Sequence, residues 1–535
     1  MVQGTASHVG KSIITAALCR IFHDMGLSTA PFKAQNMSLN AFVTRDGGEI
    51  GVAQALQARA AGLEPTVDMN PVLLKPTEDG ACQVIVHGRV YGAMTASSYQ
   101  GFKEEALGPV LESFERLAAA HDAVVLEGAG SPAEINLREN DLANMGIALA
   151  TESPVLLVGD IDRGGVFASL VGTMELLGRE ERSLVRGFII NKFRGDASLL
   201  GPGLDFLVAK TGVPVMGVVP YMGQLVLPDE DGVVLEDEGS TGGGRDGGQR
   251  GGRKGSGPGA ELRIVVIRLP RISNFTDFDP LRHEEGVELV FIENPGEIKG
   301  AAMVIIPGTK NTRADLLWLS ERGFREALRE YRSGGGLIMG ICGGFQMLGR
   351  AVEDPLGVES LPGRSQGLGL LDISTRLGPE KATFTVEAEV LRGFSASCGK
   401  IKGYEIHAGW STPSERAMFR ILRRGSAGVE IEEGAVSRDR LVMGTYIHGL
   451  FHNDGLRRAL VQELFRRAGL EPIARDGRGY EAALDTAIDE MAALVRASLD
   501  MEALLRIVGL GGPGPLDSAG PRARETGNCP GTQVP

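Results

Sequence analysis

Cys342 stands in the run Gly340-Ile341-Cys342-Gly343-Gly344-Phe345-Gln346, between an apolar stretch and a helical pattern. A strand that turns sharply into a helix while presenting one side chain needs neighbours without a Cβ, and Gly340, Gly343 and Gly344 supply them. The chemistry this setting suits is attack by a thiolate. A free thiol has a pKa of about 8.5, so only a few per cent is ionised at pH 7, whereas an imidazolium partner lowers it to roughly 3.5–7.5. His448, in Thr445-Tyr446-Ile447-His448-Gly449 at the end of a later apolar run, is the partner the sequence offers. A buried structural cysteine in a glycine turn is the blander reading, and it competes poorly because glycines on both sides pack nothing.

A second chemistry opens the chain. Gly4-Thr5-Ala6-Ser7-His8-Val9-Gly10-Lys11-Ser12 ends in the Gly-Lys-Ser of a phosphate loop, with five residues between the glycines where the common pattern has four. Backbone N–H groups at a helix start favour anions, Lys11 reaches the β and γ phosphates, and Ser12 holds Mg²⁺. ATP and Mg²⁺ are therefore the expected ligands, with Gly4, Thr5, Gly10, Lys11 and Ser12 around the phosphates. The metal needs further hard oxygens. Glu127, which ends an apolar run and precedes Gly128-Ala129-Gly130, is the leading candidate, and Glu49 a weaker one.

The elements that position these residues alternate between strand and helix, the signature of parallel sheets covered on both faces. Residues 11–25 place Ile13, Ile14, Ala17, Leu18, Ile21, Phe22 and Met25 at helical spacing, with Gly26 as cap. Cys19 is filler in that helix. Strands are predicted over 123–126, 154–158, 187–190 and 215–219, and their carboxyl ends, where such folds bind ligands, carry Glu127, Asp160 with Asp162, and Asn191. Only Met1, Val2 and Gln3 precede the loop, so the natural start is expected a few residues upstream. The second half repeats the pattern at 262–269, 287–292, 303–306, 337–341 and 441–447.

Between the halves, residues 239–259 are nearly all Gly, Ser, Arg, Lys and Asp, and 509–535 are rich in Gly and Pro; both are expected to be disordered. The expected division is a nucleotide-binding domain over 1–236, a linker over 237–259, a second α/β domain with a C-terminal helix over 260–508, and a tail over 509–535. At 535 residues, 43% hydrophobic and 23% charged, the chain has room for more than one core. A net charge of -13 gives no footprint for nucleic acid. There is no apolar run of eighteen residues and no leader pattern after Met1, so a cytoplasmic protein without membrane contact is expected. The five cysteines lack CxxC spacing, which suggests neither a disulfide framework nor a zinc site.

Longer strings narrow the reading: Pro31-Phe32-Lys33-Ala34-Gln35-Asn36-Met37-Ser38-Leu39-Asn40, Met69-Asn70-Pro71-Val72-Leu73-Leu74-Lys75-Pro76, Glu127-Gly128-Ala129-Gly130-Ser131-Pro132-Ala133-Glu134-Ile135-Asn136-Leu137, Asp160-Ile161-Asp162-Arg163-Gly164-Gly165, Pro270-Arg271-Ile272-Ser273-Asn274-Phe275-Thr276-Asp277, Pro307-Gly308-Thr309-Lys310 and Gly403-Tyr404-Glu405-Ile406-His407. With the two motifs above, they resemble the glutamine-dependent cobyric acid synthase family of corrinoid biosynthesis over essentially residues 1–500. The resemblance implies a dethiobiotin-synthetase-like phosphate-loop domain joined to a class I, flavodoxin-like glutamine amidotransferase domain. It implies ATP- and glutamine-dependent amidation of the b, d, e and g carboxylates of adenosylcobyrinic acid a,c-diamide. Corrinoid, glutamine and ATP are then the partners, and the resemblance leaves the oligomeric state open.

By the same resemblance, Lys33 and Lys75 are positive groups near the transferring phosphoryl, Asn191 with Lys192 touches adenine, and backbone N–H groups near Gly308 and Gly343 hold an oxyanion. Glu134 and Asp141 face the acceptor or the phosphoryl group, or are solvated loop charges, at equal weight. Many glutaminases of this elbow type place Glu two residues after the His; Leu450 stands there, so a Cys-His pair without a third member is expected, with Glu405 as a possible helper. The alternatives are the sibling a,c-diamide synthase, against which the Lys33 to Asn40 string argues, and a phosphate-loop switch ATPase, which gives no reason for Cys342 with His448.

Overall fold

The computed structural model describes residues 1–77, 80–138, 141–223, 227–228, 262–359, 361–394, 399–412, 416–471 and 479–510. The expected linker, the tail beyond residue 510, Cys398 and Cys529 lie outside the described residues.

In the first half, Val2–Gly4, Val155–Asp160, Val185–Phe193 and Val215–Pro220 lie side by side in that order, all parallel. A bridge between Val2 and Glu127 continues the sheet to Ala123–Leu126 and Thr29–Phe32, also parallel. Runs of Val, Ile and Leu without alternation suit strands covered on both faces, and Leu157, Val158, Ile189 and Ile190 are fully buried. The helix Lys11–Asp24 follows the loop as its spacing predicts, burying Ile14, Ala17, Leu18, Ile21 and Phe22, with Cys19 among them. Gly26, at φ 85°, ends it. Beside this sheet, Gln35–Met37, Val72–Pro76, Ala81–Val86 and Arg89–Thr95 form a smaller one.

In the second half the parallel order is Val287–Ile292, Leu262–Ile267, Met303–Ile306, Leu337–Ile341 and Val442–Thr445. The strand expected over 441–447 divides. Tyr446 N–H is taken by the Glu433 carboxylate at 2.6 Å, and Ile447–His448 crosses to a second, largely antiparallel sheet where His448 pairs with Tyr404. That sheet, built on Ser374–Val390 and Lys400–Ser411, was not anticipated. Its strands carry charged and small residues with one face half exposed, so no continuous apolar run marks them.

The end of the chain departs from the expected division. The helix Tyr480–Ser498 buries Leu484, Ala487, Ile488, Met491, Ala492 and Val495, a clean helical stripe, against the first half. Of these, Leu484, Ile488, Met491, Ala492 and Val495 share one apolar core with Ile14, Leu18, Ile21 and Phe22 of the phosphate-loop helix. Asp500 N–H then bonds Met216 O at 2.7 Å on the edge strand Val215–Pro220. The C-terminal helix assigned to the second domain therefore completes the first, because an amphipathic stripe specifies that it must be covered but not by which core.

Candidate active sites

Leu337–Ile341 is buried throughout, and Cys342 leaves it at φ 53°, ψ -111°, starting the helix Gly343–Leu348. A non-glycine residue at positive φ costs on the order of 1–3 kcal/mol and persists where the surroundings hold it. Glycines permit the turn: a Cβ on Gly344 would lie 2.0 Å from Ile306 O, and one on Gly340 2.6 Å from Gly344 O. Cys342 N–H donates to Thr445 O at 2.8 Å, which sets the thiol beside the strand that leads to His448.

His448 is completely enclosed. Its Nδ1 lies 2.6 Å from Asp277 Oδ2, and Gly449 N–H donates to Asp277 Oδ1 at 2.9 Å. Tyr404 stacks on the imidazole with ring centroids 5.2 Å apart, and Gly308 packs so close that a Cβ there would meet His448 Cε1 at 3.1 Å. Burial alone lowers the imidazole's pKa, but the Asp277 carboxylate and the Cys342 sulfur, which is also a hydrogen-bond partner, outweigh it and raise the value to about 10. Nδ1 is committed to Asp277, so Nε2 is the nitrogen left for the thiol. The result is a Cys-His-Asp constellation in which the histidine stays cationic at neutral pH.

The expectation of a pair without a third member is thus corrected: Asp277 is the third member. It lies 171 residues before His448 and belongs to the string Asn274-Phe275-Thr276-Asp277, where nothing in its spacing marks it as a partner. Glu405 does not take that role. Its carboxylate is held by Arg424 Nε at 2.7 Å, with His407 Nε2 at 3.8 Å.

At the other centre, Gly10 adopts φ 97° and caps the helix that begins at Lys11. Lys11 Nζ donates to Ala6 O at 2.9 Å and Gly130 O at 3.0 Å, curled over its own loop. Glu127 gathers the rest: Ser12 Oγ and Lys33 Nζ donate to its Oε1 at 2.8 and 2.9 Å, and Gln57 Nε2 to its Oε2 at 2.5 Å. Gln57, buried on the helix Val52–Ala60, escaped the sequence reading because a glutamine inside a helix has no motif. Asn191 lies beneath the loop, donating to Val9 O at 2.8 Å, and its buried Oδ1 has no hydrogen-bond partner among the described residues. Lys192 Nζ reaches His8 O at 2.6 Å and Asp160 at 2.9 Å. Gly4 and Thr5 enter the loop, with Thr5 N–H on Val158 O.

Two expected residues lie elsewhere. Glu49, proposed for the metal, accepts from Lys75 Nζ at 2.5 Å through one oxygen and from Lys381 of the second half through the other. Burial, which raises its pKa, is outweighed by those ammoniums, and the value falls to about 2. Its two oxygens are thus each held by an ammonium, one from each half. Lys75, expected at the transferring phosphoryl, is the same pair's partner, with Cys342 among its electrostatic neighbours. Asp141 caps a turn, accepting from Ala143 and Asn144 N–H at 2.9 and 3.0 Å, while Glu134 is exposed. Among the described residues no group of three or more His, Cys, Asp or Glu forms a metal cluster, and no helix is long and apolar enough to cross a membrane.

A phosphate-loop nucleotide-binding half and a Cys-His-Asp half with a nucleophile elbow define the class: a glutamine amidotransferase coupled to an ATP-using ligase. Residues 1–233 match the CobQ/CobB/MinD/ParA nucleotide binding domain, and residues 263–456 the CobB/CobQ-like glutamine amidotransferase domain. The chain is 52% identical over 526 residues to a cobyric acid synthase of Sorangium cellulosum, covering 95% of this chain and 98% of the relative. It is 49% identical over 525 residues to one of Pelotomaculum thermopropionicum (96% and 97%) and 47% over 512 residues to one of Clostridium acetobutylicum (96% and 99%). The chain belongs to the cobyric acid synthase family.

Proposed function

We propose that this protein converts corrinoid side-chain carboxylates to carboxamides, driven by ATP and supplied with nitrogen from glutamine, the carboxylates being b, d, e and g of adenosylcobyrinic acid a,c-diamide. The observation that carries the reading is Cys342 with His448 and Asp277 in one chain with a phosphate loop whose Ser12 meets Glu127. A switch ATPase has no use for the first group, and a simple glutaminase none for the second.

In the second half the Cys342 thiolate attacks the side-chain amide carbon of glutamine, and backbone N–H groups near Gly308 and Gly343 meet the oxyanion. His448, oriented by Asp277, gives its proton to the departing ammonia; it then takes one from the water that cleaves the thioester, releasing glutamate and restoring the thiolate. In the first half a carboxylate oxygen of the acceptor attacks the γ-phosphorus of ATP, and ADP leaves. Ammonia attacks the resulting acyl phosphate at carbon, and phosphate departs with the former carboxylate oxygen. Without that activation the leaving group would be oxide.

Lys11 and Lys33 supply positive charge where the phosphoryl group moves, and the free Oδ1 of Asn191 suits an adenine amino group. Ser12 and Glu127 bring two hard oxygens within 2.8 Å of each other, a donor set that fits magnesium, which supplies charge neutralisation of the phosphates when bound with nucleotide. Ammonia passes inside the protein, since in bulk water it would be diluted and protonated.

The test is product mass after incubation with adenosylcobyrinic acid a,c-diamide, ATP, magnesium and glutamine. Four successive losses of about one mass unit, each an OH replaced by NH₂, are expected. A parallel incubation uses the acid unamidated at a and c: an unchanged mass in both overturns the corrinoid assignment, and amidation confined to a and c of that acid points to the sibling synthase.

A further inference from the structure

The hairpin Ala41–Val43 with Glu49–Gly51 belongs to the first half by sequence but joins neither of that half's larger sheets. It lies between the halves: Glu49 N–H bonds Gly88 O at 3.0 Å and Gly51 N–H bonds Asn70 Oδ1 at 3.0 Å within the first, while further contacts are with the second. Its turn approaches Ser374–Val390 so closely that a Cβ on Gly47 would sit 2.7 Å from Thr383 O, and Glu49 binds Lys381 of the same strand. At its other end two asparagines exchange contacts with backbone: Asn274 Oδ1 accepts from Ala41 N–H at 3.0 Å, and Asn40 Oδ1 accepts from Phe275 N–H at 3.1 Å. Both are buried, and Asn274 holds a left-handed φ of 53°.

The places this hairpin touches surround the thiol centre. Asn274 and Phe275 begin the short helix that carries Asp277, whose N–H bonds back to Asn274 O at 3.1 Å. Phe42 lies against Tyr404, ring centroids 6.4 Å apart, and Tyr404 is the ring stacked on His448. Ala41 and Val43, with Leu73 and Ile85, share an apolar cluster with Ile406, whose carbonyl lies 3.5 Å from Cys342 Sγ. A neighbour of each member of the constellation thus touches one segment of the opposite half.

We propose that residues 40–51 are a positioning element of the glutaminase centre: the nucleotide-binding half holds Asp277, Tyr404 and Ile406 in place, so that glutamine is hydrolysed at full rate only when this hairpin is seated. The same segment begins seven residues after Lys33, which sits on Glu127 at the phosphate loop, so a shift there has a short covalent route to the hairpin. The two buried asparagines select for their own amide oxygens, because loss of either leaves a buried backbone N–H unpaired. This inference rests on the glutaminase reading above.

The experiment compares Asn40→Ala, Asn274→Gly and Asn274→Asp in the full-length protein. Glycine accepts the left-handed φ but removes the oxygen, whereas aspartate keeps it. Glutamine hydrolysis, its pH profile and ammonia-supported amidation are measured for each. Asn40→Ala and Asn274→Gly should lower kcat for glutamine by about tenfold to a hundredfold, as small misplacements of catalytic groups do. They should move the alkaline limb of the profile down as Asp277 loosens from His448, and leave ammonia-supported amidation unchanged. Asn274→Asp should recover most of the rate. Unaltered glutamine rates and pH profile in both oxygen-removing variants overturn the proposal, as does an equal loss of ammonia-supported activity, which would mean general unfolding. Failure of the unaltered protein to hydrolyse glutamine overturns the glutaminase reading and this proposal with it.

Discussion

The two centres are built in opposite ways. Around the phosphate loop the polar groups satisfy one another through long side chains: Lys11 folds onto carbonyls of its own and a neighbouring loop, and Ser12, Lys33 and Gln57 share Glu127. Around the thiol the working groups are fixed in advance, with Cys342 in a left-handed turn and His448 clamped between Asp277 and Tyr404. A centre whose ligand brings several negative charges can let its cations rest on carbonyls until that ligand arrives. A centre that must generate a thiolate from a neutral thiol needs its imidazolium in place beforehand. Each half also leans on the other end of the chain: the helix Tyr480–Ser498 covers the phosphate-loop helix, and the hairpin at residues 40–51 lies under the thiol centre.

Breaking each centre separately gives the largest effects. Cys342→Ala should lower glutamine-supported amidation by at least about a thousandfold while ammonia still serves, whereas Lys11→Ala should abolish amidation from both nitrogen sources. Measuring both variants with both sources tests whether the centres are separable; parallel losses would show that they are not.

Asp277→Asn should reduce glutamine hydrolysis by about a hundredfold to ten-thousandfold. The sign of its pH effect follows from His448, whose pKa is raised from 6.5 to about 10 in the folded protein. The stability it contributes is therefore complete below pH 6.5 and is lost as pH rises through about 10. Without the Asp277 carboxylate the imidazolium loses its proton at lower pH, so the alkaline limb of activity should move down. A limb that stays fixed would remove Asp277 from the constellation.

The contacts between the halves are weaker levers. Glu49→Gln leaves the Lys75 and Lys381 ammoniums without their carboxylate and should cost about 3–5 kcal/mol in denaturant unfolding, since breaking a buried pair strands the other charge. In the native protein that pair's contribution is present above pH 4.5 and is lost as pH falls toward about 2. Met491→Ala, in the core shared by the last long helix and the phosphate-loop helix, should cost about 2–5 kcal/mol and depress amidation from both nitrogen sources near the melting temperature. Arg59→Ala, which removes a half-exposed pairing between the helix Val52–Ala60 and Glu481 and Asp485 of the last long helix, should cost about 1 kcal/mol or less, separating apolar cover from surface charge.

Read along the chain, the amino acids alone marked the phosphate loop, the elbow at Cys342 and the parallel strands of both halves. These are legible because each is local: a glycine spacing, a helical stripe or an apolar run is complete within about twenty residues. Tertiary structure alone decided that Asp277 orients His448, that Gln57 braces Glu127, that Glu49 and Lys75 join the halves instead of serving the phosphates, and that the last long helix closes the first core. Asp277, Glu49 and Gln57 are single polar residues whose meaning lies entirely in a partner far along the chain or in an element with no motif of its own. Local sequence specifies that a carboxylate will need a cation or a donor, but the cost of burying it is settled only by which one the folded chain brings within about 3 Å.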